Sequence, residues 1–241
     1  MADVKYDPAR RGFLRLVGVT VPAGMVLCAC GGSGTDAHGG TANAFFAPGE
    51  MDFIQAATAR LIPTDALGPG GDKAGIPTFL DLQLAGPYGR AERWYMQGPW
   101  PRGIDSQGYQ LRFTPAQLYR QAIAGIDKHC RAQYQQPFAR LGADQQDEVL
   151  HALEGGKVDL GDVPSETFFN LLWQNTQEGF LADPVYGGNR DFAGWKLIGF
   201  PGPRYNYVRE IGEYGKPYQQ PCVSLIGRAP EAALAHAGGA S

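Results

Sequence analysis

The sequence predicts a mainly α fold: an irregular helical domain with long, ordered loops rich in Gly and Pro. Three observations lead there. Apolar residues recur at helical spacing in separate stretches between residues 48 and 181. Those stretches begin and end at Pro, Gly, Ser, Thr or Asp, the residues that start and stop helices. Finally, 34 Gly and 18 Pro exceed ordinary usage, so the remaining backbone is read as turns and irregular connections.

In the first helix Pro48 fits the opening position, with Glu50 and Asp52 near the positive end of the dipole. Phe53, Ile54, Ala57 and Leu61 share one face, and Pro63 ends the segment. Residues 65–75 are turn material. A short second helix starts at Pro77, carries Phe79, Leu80, Leu82 and Leu84, and stops at Gly86. Residues 87–113 read as a long irregular loop holding Trp94, Tyr95, Trp100 and Tyr109; loops of that length are functional or pinned to a partner. Thr114-Pro115-Ala116-Gln117 opens the third helix, the threonine as cap and Gln117 reaching back. Leu118, Ala122, Ile126 and Cys130 then follow at steps of four, and Pro137 closes it. Asp144 is read as the cap of a fourth helix carrying Val149, Leu150 and Leu153 and ending at Gly155-Gly156. Ser165 is read as the cap of a fifth, with Phe168, Phe169, Leu171, Leu172 and Phe180 on a broad apolar face. From Ala182 to Cys222 periodicity is lost, with room for an isolated strand or two.

Ahead of the helices, Arg10-Arg11-Gly12-Phe13-Leu14-Arg15 precedes a weakly apolar run from Leu16 to Leu27. Arg10, Arg11, Phe13 and Leu14 form a twin-arginine export signal, a receptor-read address for proteins that fold before they cross a membrane. The run is too short and too broken by Gly18, Pro22 and Gly24 to be a spanning helix, which needs roughly 20 apolar residues. Two ends are open. Leu27-Cys28-Ala29-Cys30 resembles a lipobox with Cys30 as the lipidated residue, and Ala42-Asn43-Ala44 is an A-x-A site for cleavage before Phe45. The expected organisation is a signal and linker over residues 1–44, one domain over 45–228 and a disordered tail over 229–241. Beyond the signal only Cys130 and Cys222 remain. In an oxidising compartment they can be an internal disulfide, a bridge to a partner chain or two buried thiols.

A net charge of −3 gives no basic footprint, which speaks against a nucleic-acid partner. Charged residues are 19% of the chain, below the usual quarter, and aromatics are 11%. Low charge with abundant aromatics is the composition of an interface centre. Cofactor signatures are absent: there is no G-x-G-x-x-G unit, no P-loop, no C-x-x-C-H and no G-x-S-x-G elbow. His38, His129, His151 and His236 have no ligand spacing. We therefore assign no catalytic, cofactor-binding or metal-ligating residue in this chain.

The densest cluster of functional residue types is Asp183-Pro184-Val185-Tyr186-Gly187-Gly188-Asn189-Arg190-Asp191, followed by Trp195-Lys196-Leu197-Ile198-Gly199-Phe200-Pro201-Gly202. One reading makes Asp183, Arg190, Asp191 and Tyr186 the acid/base set of a stand-alone periplasmic enzyme. The stronger reading is turn chemistry, with Trp195 and Phe200 as apolar anchors. A further alternative is a lipoprotein module binding a small ligand through the aromatic loop of residues 94–109. Trp94, Trp100, Tyr109, Tyr186, Asn189, Arg190, Trp195 and Phe200 are the candidate partner-interface residues.

These blocks, together with Thr58-Ala59-Arg60-Leu61-Ile62-Pro63-Thr64-Asp65, Gly68-Pro69-Gly70 and Ala74-Gly75-Ile76-Pro77-Thr78-Phe79-Leu80-Asp81, resemble the gluconate 2-dehydrogenase subunit 3 family from about Phe46 to Tyr207. The resemblance implies a small, or gamma, subunit of a membrane-associated dehydrogenase on the periplasmic face of the inner membrane. In such a complex the large subunit binds FAD and oxidises a sugar or sugar acid, and a multihaem cytochrome c subunit passes electrons to quinone. It implies that this chain is not the catalyst and holds no cofactor itself. Its expected task is to bind the large subunit, assist its maturation with FAD and carry it through the twin-arginine translocase. The implied tie to the membrane is through the complex or through a lipid.

Overall fold

The computed structural model describes residues 43–101, 103–218, 220–225 and 227–228. Arg10, Arg11, Phe13, Leu14, Cys28, Cys30 and the tail over 229–241 lie outside the described residues. The described part is mainly α, as expected. Its helices are α1 (Pro48–Leu61), α2 (Ile76–Ala85), α3 (Pro115–Tyr134), α4 (Ala143–Glu154), α5 (Ser165–Leu181) and α6 (Ala193–Ile198). Single 3-10 turns sit at Asp105–Gln107, Phe138–Arg140, Pro184–Tyr186 and Arg190–Phe192. Strands β1 (Val223–Ser224) and β2 (Gly227–Arg228) pair antiparallel.

The helix ends follow from their local chemistry. Pro48 occupies the first turn of α1, and Glu50 reaches back to accept the Ala47 N–H at 2.8 Å. Thr114 and Gln117 form a full capping box at the start of α3: each side chain accepts the other's backbone N–H, at 3.3 and 3.0 Å. Helix α3 stops where Gln135 turns left-handed, and α2 stops at Gly86. Two caps differ from expectation. Gly142, not Asp144, is the N-cap of α4, which moves Asp144 into the first turn, where its charge still favours the dipole. Pro164, not Ser165, caps α5; Ser165 is the first helical residue, and its hydroxyl is buried without a hydrogen-bond partner among the described residues. Helix α2 also begins one residue earlier than Pro77, after the left-handed Gly75.

The core lies among α1 to α5, and α1 and α5 each touch all the other helices of that set. Phe53 of α1 meets Phe138 and Phe168, its ring 4.9 Å from the first and 6.3 Å from the second, and Ile54 beside it is fully buried. Tyr119 of α3 is fully buried, edge-on to Phe168 at 5.4 Å. Burial of such side chains contributes about 1.5–3 kcal/mol each. Leu118, Ala122, Ile126 and Cys130 are all buried along α3, as their spacing predicts. Leu82 lies on α2 as expected and faces solvent, because the buried stripe runs through Ile76, Phe79, Leu80 and Leu84. Between α1 and α2, the Asp65 carboxylate accepts the Leu67 N–H at 2.8 Å and Thr64 Oγ1 accepts the Gly70 N–H at 2.9 Å, closing the expected turns.

Candidate functional site

Beyond α5 the chain runs through the motif-rich stretch without a core of its own. Asp183 opens it. Its Oδ1 accepts the Val185 N–H at 3.0 Å, which starts the 3-10 turn, and the Ser224 hydroxyl at 2.8 Å. Its Oδ2 accepts the Leu225 N–H at 2.8 Å, so one carboxylate ties residues 183–185 to residues 224–225. Asn189 is fully buried. Its Nδ2 donates to the Ala182 carbonyl at 2.8 Å and its Oδ1 accepts the Gly194 N–H at 2.9 Å, bracing the loop across its width. The indole N–H of Trp195 donates to the Leu181 carbonyl at 2.7 Å, fixing α6 to the end of α5. Phe192 stacks on Trp195 at 5.4 Å, and Phe200 meets the other side edge-on at 5.0 Å.

Backbone proximity explains the glycines. A Cβ on Gly188 would collide with the Gly179 carbonyl, and one on Gly194 with the Phe180 carbonyl, so this segment lies directly against the last turn of α5. Asn189, Asp191 and Phe192 adopt left-handed φ of 47°, 56° and 57°. Asn and Asp accept that region; Phe192 does not, at a cost on the order of 1–3 kcal/mol. Its burial and its stack on Trp195 hold it there.

The proposed acid/base set is not assembled. Asp183 is buried and its oxygens are engaged by Val185, Ser224 and Leu225, whereas Tyr186, Arg190 and Asp191 are exposed. Among the described residues no hydrogen bond or ion pair joins the side chains of Asp183, Tyr186, Arg190 and Asp191. Arg190 is instead placed by its backbone, whose N–H donates to the Ala74 carbonyl at 2.8 Å ahead of α2. Nor does the structure join the cysteines: Cys130 and Cys222 are free thiols, the first buried in α3, the second with Sγ 3.5 Å from the Phe200 carbonyl. Burial pushes the Cys130 thiol up to about 11.

The candidate interface residues divide by position. Asn189 and Trp195 are interior ties, while Tyr186, Arg190, Phe200 and Trp100 face solvent. Trp94 and Tyr109 are half-buried, in a stack in which Trp94 lies 5.9 Å from Tyr88 and 5.0 Å from Tyr109. The Tyr109 hydroxyl donates to the Phe113 carbonyl at 2.6 Å, and the Tyr88 and Tyr119 hydroxyls both donate to Asn175 Oδ1 at 3.0 Å. Burial raises all three phenols, Tyr88 to about 12.

The sequence reading missed an apolar surface. Leu181, Val185, Leu197 and Ile198 are exposed beside Tyr186 and Phe200. Leu181 and Leu197 each line a shallow cleft. The larger, about 590 Å³, is lined by Phe79, Gln83, Gln174, Glu178, Leu181 and Tyr186. The smaller, about 160 Å³, includes Pro63, Leu67, Phe180 and Leu197. Tyr205, Val208, Ile211 and Tyr214 extend the exposure along the following arm. Among the described residues no group of three or more His, Cys, Asp or Glu could hold a metal ion, and no helix is long and apolar enough to cross a membrane.

A family model described as gluconate 2-dehydrogenase subunit 3 matches residues 48–202, from the start of α1 through Gly202. No curated protein and no solved structure matches the chain. The matched span is well over half of the 241 residues, and the chain belongs to the gluconate 2-dehydrogenase subunit 3 family.

Proposed function

We propose that this member of the gluconate 2-dehydrogenase subunit 3 family is the non-catalytic small (gamma) subunit of a periplasmic, FAD-dependent dehydrogenase complex acting on a sugar or sugar acid. Family membership over residues 48–202 is the observation that carries this reading. In the complex the large subunit binds FAD and performs the oxidation, and a multihaem cytochrome c subunit takes the electrons. This chain binds the large subunit, assists its maturation and, through Arg10 and Arg11, carries it folded through the twin-arginine route. The complex then sits on the periplasmic face of the inner membrane, held through its other subunits or through a lipid on Cys30. The exposed Leu181, Val185, Tyr186, Leu197, Ile198 and Phe200 support the docking part, since exposed apolar groups grouped in one segment mark protein–protein contact sites.

The test is a native pull-down of the C-terminally tagged chain from its own membranes, read by mass spectrometry and flavin fluorescence. The expected result is a stoichiometric FAD-bearing partner with a haem c protein beside it. Recovery of the chain alone, without flavin, would overturn the reading. Arg10→Lys with Arg11→Lys is expected to strand the large subunit in the cytoplasm; unchanged export would remove the escort role.

A further inference from the structure

One carboxylate fastens the start of the domain. Asp81 lies on α2 and is 6% exposed. Its Oδ2 accepts the Ala44 N–H at 2.6 Å, and its Oδ1 accepts those of Phe45 and Phe46 at 2.9 and 2.8 Å. The Phe45 carbonyl accepts a guanidinium N–H of Arg120 at 2.7 Å, and that guanidinium lies 4.3 Å over the Phe45 ring. Phe46 is buried, 6.2 Å from the Tyr119 ring.

Among the described residues the charge of Asp81 has no cationic counterpart. Among the described residues no Lys, Arg or His pairs with it, and the nearby Arg120 donates instead to Glu50 at 2.8 Å. Three neutral N–H donors occupy three of its roughly four acceptor sites, and among the described residues no cation compensates its charge, whereas buried charges are ordinarily paired. One event supplies a cation at this spot. Cleavage after Ala42-Asn43-Ala44 converts the Phe45 amide nitrogen, already 2.9 Å from Oδ1, into an α-ammonium. A peptidase triplet in the sequence and a buried carboxylate in the fold thus converge on the same nitrogen.

We propose that the Ala44–Phe45 bond is the processing site of this chain and that Asp81 is the seat of the mature N-terminus. The step is a hydrolysis. Water adds across the peptide bond, its oxygen becoming part of the Ala44 carboxylate, and the released Phe45 amine takes a proton at neutral pH. A signal peptidase is the catalyst. The cut needs only local opening of the bond beside Asn43 and Ala44, which are exposed. Afterwards Asp81 faces an ammonium, so an ion pair takes the place of the bond between its carboxylate and the neutral Phe45 amide. Processing therefore exchanges the Ala44 N–H bond for an ion pair at Phe45 and discards Cys30 with the leader. The inference shares the export signal with the proposed function and is independent of the dehydrogenase partner.

The test uses the full chain purified from cytoplasm, incubated with signal peptidase in detergent and read by N-terminal sequencing and intact mass. The expected product begins at Phe45; no cut at that bond overturns the site. The same reading on protein from native membranes gives Phe45 first, whereas a lipid-modified Cys30 first overturns it, whichever proteins co-purify. The α-amine of the cut protein is then acylated. Wild type is expected to react about tenfold more slowly than Asp81→Asn, equivalent to one pKa unit of protection. Equal rates overturn the seat. Should Asp81→Asn not fold, the wild-type rates in buffer and in denaturant give the same comparison.

Discussion

Residues 48–181 and residues 183–225 keep their shape by different means. The first region buries large side chains from five helices against one another, so its order is shared among many interchangeable contacts. The second buries few large side chains, chiefly Phe192 and Trp195, and is held by named polar ties: Asp183 to Ser224 and Leu225, Asn189 to Ala182 and Gly194, Trp195 to Leu181. A core degrades gradually when one contact is lost. A segment stitched by single hydrogen bonds loses its placement when one stitch goes. The second region also holds most of the exposed large apolar groups, Val185, Tyr186, Leu197, Ile198 and Phe200 among them, so the surface offered for docking rests on the more brittle support.

The sharpest test removes Phe168, which is fully buried between Phe53 and Tyr119. Phe168→Ala is expected to lower global stability by about 3–5 kcal/mol in denaturant unfolding, with both regions melting together. Asn189→Ala is expected to cost about 2–4 kcal/mol, because it strips two buried bonds and strains a left-handed residue. Hydrogen exchange should then rise over residues 183–200 while α3 stays protected; equal loss in both regions would erase the distinction. Asp183→Ala is expected to cost about 1–3 kcal/mol and to free residues 220–225 to proteolysis first.

Alkaline pH separates the regions without mutation. Burial raises Tyr119 and takes Tyr88 to about 12, so the fold favours their protonated forms. That stability is intact below the unfolded phenol value of about 10 and is lost as pH rises from there toward 12. Tyr88→Phe with Tyr119→Phe should flatten the decline, measured by chemical denaturation across that range. The smallest effect is expected from Arg60→Ala. Its bond to Asp147 holds that carboxyl below the usual range, so its contribution is present above the unfolded Asp value and fades as pH falls below it. Both side chains are about one-third exposed, at 31% and 39%, and the loss should stay below about 1 kcal/mol.

The same contrast explains what could be read in advance. Helix order, the Thr114–Gln117 capping box and the buried stripe through Leu118 and Cys130 were legible because periodicity and caps are local signals. Ser165 and Asp144 were misplaced by one or two positions, since several cap residues in a row compete for one boundary and packing chooses. In residues 183–202 the sequence marked the place and not the roles. Asp183 has the composition of an acid/base residue, yet its partners Ser224 and Leu225 stand some forty positions away, and nothing local announces them. The exposed arm from Tyr205 to Tyr214 escaped for a related reason: without a helix or strand, spacing has no face to define.

Gly188 and Gly194 give the segment a genetic signature. Because carbonyls of Gly179 and Phe180 occupy the space a Cβ would need, every missense change at these two codons is expected to lift the segment off α5. Gly199, with open space around it but a left-handed φ of 71°, should be intermediate, and the solvent-facing Lys196 should accept nearly any residue. A saturation library across residues 183–202, sorted by export of a reporter, would thus return a barcode of intolerant and permissive codons. Its pattern would record where backbone lies on backbone, a map of the seam obtained without a single coordinate.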